Sequence, residues 1–157
     1  ALLLLAKLIL PLYRNARQAI GPIGRQLLGV AMIAFGIKVI IQAAVVIPHI
    51  ATVAYTIRNF VIGFIHLILL GFMTHLLLGA ATEKGWLDPT DRLTKIGLVL
   101  FFIGFIATEL LLFLQGAMFW GALGFIPAYY ELILGASILL AFGILVLIFR
   151  SSRVISH

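Results

Sequence analysis

Between its charged clusters the chain reads as long apolar runs, and four of these, residues 26–48, 58–80, 96–121 and 129–149, are long enough to cross a bilayer as helices. A helical span needs about 20 mostly apolar residues. Runs such as IGLVLFFIGFIATELLLFL do not alternate between polar and apolar positions, which excludes the strands of a membrane β-barrel. The opening stretch ALLLLAKLILPL, residues 1–12, is apolar but too short to span. Lys7 interrupts it and no small-residue cleavage site follows, so a signal peptide is disfavoured. It is expected to be the end of a helix that begins earlier, which makes the chain a piece of a larger membrane protein. The predicted fold is therefore all-α. It is a polytopic transmembrane bundle, one domain over 1–157, with four full helices and a partial N-terminal one.

Composition agrees with this reading. Hydrophobic residues make up 64% of the chain and charged residues 10%, whereas a soluble domain is about half apolar and a quarter charged. The outer surface must face hydrocarbon, so the first partner is the lipid bilayer. The absence of cysteine excludes disulfides, thiolate metal sites and thioether-linked haem within the chain. No Gly-rich phosphate loop, metalloprotease helix or nucleophile elbow occurs. Nothing nucleophilic is paired with a base, which disfavours an enzyme acting on a soluble substrate.

Charge orients the spans. Arg14, Arg17 and Arg25, then Lys84, Arg92 and Lys95, then Arg150 and Arg153 all fall on one side if the spans alternate, with Arg58 opposite. Lys and Arg in short loops mark the cytoplasmic side. The expectation is a multi-pass protein of a bacterial inner membrane with its C-terminus in the cytoplasm. The net charge of +6 follows from that asymmetry and from loops held against anionic headgroups, so no nucleic-acid partner is expected. Trp120, Tyr129 and Tyr130 on one side, with Tyr13 and Trp86 on the other, match interfacial aromatic belts. In the loop ATEKGWLDPTDRLTK, Asp88-Pro89 reads as a turn or an N-cap.

Four ionisable residues, Lys38, His66, His75 and Glu109, lie inside these spans together with the amides Gln42 and Gln115. Such groups face a bundle interior or a water-filled cavity and are functional hypotheses by default. Counted inward from the cytoplasmic ends, Lys38, Glu109 and His66 lie ~12–14 residues deep, which places all three near the midplane at about 1.5 Å per residue. Lys38, Gln42 and His49 form one stripe, and Gly104, Thr108 and Gln115 another, with Glu109 about 100° further round. A Lys38–Glu109 pair beside His66 is the expected arrangement, because an unpaired charge in hydrocarbon costs several kcal/mol. The cluster serves either as polar glue between helices or as a proton or ion path or cofactor wall. His75 is nine residues from His66, about 180° round the helix, and shares its face with Gly71 and Gly79, where another helix or a flat ligand can approach closely. Arg58 and Glu131 are expected to form an interfacial ion pair worth little by itself.

The segment IHLILLGFMTHLLLGA resembles helices of the haem-copper oxidase catalytic subunit superfamily and of the related bacterial haem-and-copper proteins of the nitric-oxide response. In those families a histidine in an apolar helix precedes a Leu-Gly-Phe-like stretch, here His66 with Leu70, Gly71 and Phe72. The resemblance covers one helix. It implies a polytopic protein with histidine-ligated haem, of which this chain would be the C-terminal four or five helices. His66 would be the ligand carried over and His75 a weaker one. The closely spaced His-x-His pair and the His-His doublet for copper are missing. A low-spin haem held by two histidines needs ligands at similar depth on different helices. His49, His66 and His75 lie at three levels, so a second ligand would have to come from elsewhere.

Three functions stay open at this point. The first is a haem-associated module for electron or proton transfer built on His66 and the Lys38–Glu109 pair. The second is a proton- or ion-coupled transporter segment using the same midplane residues, although all five prolines sit at span ends or in loops rather than mid-span. The third is a structural subunit that docks the helices of a partner chain through glycine faces (Gly29 and Gly36, Gly97 and Gly104, Gly135 and Gly143).

Overall fold

The computed structural model describes residues 20–155, with side chains described to Ser151. The expected partial helix 1–12 lies outside the described residues, as do Tyr13, Arg14, Arg17 and the side chain of Arg153. Every regular element among the described residues is helical: α1 (Pro22–Ala44), α2 (Pro48–Thr56), α3 (Arg58–Glu83), α4 (Arg92–Trp120) and α5 (Tyr129–Ile155). Four of them, all but α2, are long and apolar enough to cross a membrane.

Local chemistry sets the ends. Pro22 opens α1, where its missing N–H is one the helix leaves unpaired anyway. The preceding Gly21 donates its N–H to Glu83 Oε1 at 3.0 Å, which ties the start of α1 to the end of α3. Pro48 opens α2 and holds Ile47 extended, as a residue before proline prefers. The first span therefore runs from Pro22 to Ala44 and not over 26–48. The expected stripe of Lys38, Gln42 and His49 is broken, and His49 sits exposed on α2. In the α3–α4 loop Asp88 accepts from the Thr90 N–H and hydroxyl at 2.8 and 2.7 Å, while Asp91 caps α4 by accepting from the Thr94 N–H at 3.1 Å.

Residues Leu67–Thr74 of α3 form a π-helical segment. There the Thr74 hydroxyl donates to the Leu69 carbonyl at 2.8 Å, and His75 Nδ1 lies 2.8 Å from the Leu70 carbonyl. Both side chains reach back five residues to carbonyls of the wider turn. Such segments are rare and often mark functional sites.

α3 lies between α1 and α4, and α4 between α3 and α5. The α4–α5 contact is the most intimate: a Cβ on Gly104 would lie 2.6 Å from the Leu140 nitrogen, and one on Gly143 2.5 Å from the Phe101 nitrogen. Glycine lets the backbones meet, as small residues do in membrane bundles. Gly97, Gly104 and Gly143 are thus used inside the chain, while Gly36 and Gly135 have open space beside them. The outward faces carry large exposed apolar residues, among them Ile33, Ile40, Leu77, Leu110, Leu134 and Phe142. In water such a surface would aggregate; against lipid it is the expected one.

Candidate functional site

The register of α3 against α4 locates the groups expected near the midplane. Phe60 meets Gly116, Phe113 meets Gly63, Phe105 meets Gly71, and the rings of Phe101 and His75 lie 5.2 Å apart. Each step forward on α3 is thus one step back on α4. Glu109, one turn from both Phe105 and Phe113, shares their face and falls opposite Leu67, beside the level of His66. α1 keeps a matching register, with Ala34 against Gly71, so Lys38, one turn beyond Ala34, also falls at the level of Leu67. Three helices bring Lys38, His66 and Glu109 to one level.

Their chemistry there differs from the expectation. Glu109 is 7% exposed, and neither carboxyl oxygen has a hydrogen-bond partner among the described residues. The buried His66 Nδ1 is likewise unpartnered. No ion pair joins Lys38 to Glu109; the ion pair among the described residues is Arg150 to Asp91, at 2.9 Å. Buried Leu67 packs with Ala34 and Phe105 at this level, so the space between the three helices there is filled by apolar side chains. An ionised carboxylate left alone there would cost several kcal/mol. The group must carry its proton or receive a cation.

Neither of the two amides joins this cluster. Gln115 is fully buried, but its Nε2 donates to the Gly124 carbonyl at 3.0 Å and its Oε1 accepts from the Ile126 N–H at 2.9 Å. It holds the α4–α5 turn. Gln42 is exposed on α1. The expected Arg58–Glu131 pair is also absent: both side chains are exposed, and the helix ends are joined instead by Asn59 Nδ2 donating to the Tyr129 hydroxyl at 2.9 Å.

His75 is fully buried among Phe101, Phe102 and Phe105, with ring centroids 5.2, 6.0 and 5.3 Å away. On its face Gly71 meets Ala34 of α1 and Phe105 of α4, and Gly79 meets α1 near Gly24. Helices of the same chain fill the space that a flat ligand would need, so His75 does not fit as a haem ligand. His66 is half-buried. No group of three or more His, Cys, Asp or Glu residues placed to hold a metal occurs among the described residues.

Set beside known families, curated proteins and solved structures, the chain matches none. Its function is therefore argued from this geometry alone.

Two features of the structure had no signal in the sequence. The π-helical segment with Thr74 reads as ordinary apolar helix. The Arg150–Asp91 pair joins residues 59 positions apart in the chain.

Proposed function

We propose that the chain is a proton-coupled module of a multi-pass membrane protein, with Glu109 as the proton-carrying group and His66 as its relay. The observation that supports this reading is a buried carboxyl without a hydrogen-bond partner, level with an unpartnered imidazole nitrogen and beside a π-helical segment. A carboxyl that carries its proton there, with a base at its own level, can pass that proton on and take up another. Lys38 at the same level supplies a positive charge that favours the carboxylate whenever the proton leaves. We place the module in a bacterial inner membrane with its C-terminus in the cytoplasm. Arg25, Lys84, Arg92, Lys95 and Arg150 lie at one end of the bundle and Arg58 at the other, which supports that orientation.

The test uses the purified chain in phosphatidylcholine vesicles that hold a pH-sensitive dye, with an imposed potassium diffusion potential. Proton entry should fall to the protein-free level in Glu109→Gln and slow markedly in His66→Ala. Native-like flux in Glu109→Gln would overturn the assignment. If the native protein moves no protons, haem association through His66 becomes the next reading. A dithionite-reduced haem band present in the native protein and lost in His66→Ala would support it.

A further inference from the structure

A lateral cleft of about 430 Å³ opens between the outer ends of α1, α3 and α4 and the short α2. This is the size of a small-molecule site, roughly 300–1,000 Å³. Its walls are apolar: Val53 and Ala54 from α2, Phe60 and Phe64 from α3, and Trp120 from α4, with Gln42 of α1 as the polar exception. Apart from α2, membrane-crossing helices line the cleft, at the end of the bundle that has few positive charges, so its open side faces lipid.

Three polar features give this cleft a direction. Gln42 presents an amide that has no hydrogen-bond partner among the described residues and is exposed at hydrocarbon depth. Arg58 lies one turn before the cleft-lining Val61, on the same face of α3. Its guanidinium is exposed, and Glu131, the acid expected beside it, does not pair with it. Trp120 and Tyr55, 59% and 75% exposed, stand at the rim, as aromatic residues do at an interface. By the register of α1 on α3, Arg58 sits ~5 residues above Gln42, which is about 7 Å of helix. Gln42 therefore lies in the hydrocarbon, below the ~5–7 Å headgroup layer in which Arg58 stands.

From this we infer that the cleft binds one anionic phospholipid, with the phosphate at Arg58 by the Trp120 rim, the glycerol esters beside Phe60, and an acyl chain running inward against Phe64 and Phe113. Hydrocarbon in the cleft alone would need no cation at its mouth. The unpaired Arg58 selects an anionic headgroup over a zwitterionic one. The site is separate from Glu109 and His66, and its test does not depend on proton flux.

Trp120 reports occupancy directly. In a Trp86→Phe background, the full chain is reconstituted in phosphatidylcholine vesicles containing increasing fractions of either brominated phosphatidylglycerol or brominated phosphatidylcholine. Trp120 fluorescence should be quenched saturably by the phosphatidylglycerol at low mole fraction. Arg58→Gln should weaken that half-saturation about fivefold, the size of one arginine's attraction to an anionic lipid surface. Ala54→Phe should reduce the quenching by filling the cleft. Equal, non-saturating quenching by both lipids would overturn the inference, as would an unchanged half-saturation in Arg58→Gln. Absence of quenching by either lipid would also overturn it and assign the cleft to a protein segment or a second copy of the chain.

Discussion

Glu109 holds a carboxyl group where no neighbouring donor stabilises its charge, so an amide of the same shape changes its chemistry without leaving a void. Glu109→Gln should be neutral or stabilising by about 1 kcal/mol, measured by thermal unfolding in detergent, even as proton flux is lost. A clear loss of stability would reveal a partner for the carboxylate. Gln115 is the opposite case, because both ends of its amide are satisfied by the α4–α5 turn. Gln115→Leu strands the Ile126 N–H and the Gly124 carbonyl and should cost about 1–3 kcal/mol. Faster proteolysis between Gly121 and Ala128 would accompany the loss. Unchanged unfolding would mean that the turn stands without it.

Pairs of helices depend on where backbone meets backbone. At Gly104 and Gly143 an added methyl would press on the backbone of the partner helix, which cannot move aside as a side-chain tip can. Gly104→Ala and Gly143→Ala should each destabilise by about 1–3 kcal/mol, the usual cost of overpacking. Gly135→Ala, with open space at its Cβ, should be neutral or gain up to about 1 kcal/mol from helix propensity. Thermal unfolding of the three variants checks the contrast; equal losses would mean that α4 and α5 do not approach as described. The π-helical turn of α3 depends on side chains in a comparable way, since Thr74 and His75 supply contacts to its carbonyls.

Across the molecule, the two ends of the α4–α5 hairpin close through Asp91, which caps α4 and pairs with Arg150 near the end of α5. The Thr94 N–H first, and the Arg150 guanidinium beside it, hold the Asp91 carboxyl below the ordinary aspartate range. A group whose folded pKa is depressed stabilises the fold above its unfolded value. Its contribution should therefore be intact at neutral pH, begin to fail as the pH falls through the ordinary aspartate range, and vanish below the folded value. Asp91→Asn should remove this acid dependence while leaving stability at low pH nearly unchanged. The same acid sensitivity in native protein and variant would assign it to other carboxyls. Asp88, lowered first by its bonds to Thr90 and more weakly by the Arg150 charge, titrates in the same direction and adds a smaller dependence that Asp91→Asn would leave in place.

Much of this was legible in the residues themselves. Apolar run length marks a span because the bilayer has a fixed thickness, and residue counts at a constant rise put Lys38, His66 and Glu109 at one level because helical rise is local geometry. Boundaries failed where a proline reset the chain: Pro48 starts a helix instead of ending one. What only the tertiary structure decided was azimuth and partner choice. Lys38 and Glu109 share a level but form no ion pair, Arg58 and Glu131 share an interface without meeting, and Gln115 turns to its own loop. Asp91 and Arg150 come together because the glycines of α4 and α5 let the two backbones run side by side. Depth along a helix accumulates residue by residue, whereas facing depends on how several helices rotate to bury their small residues against one another. That rotation is a property of the whole packed bundle.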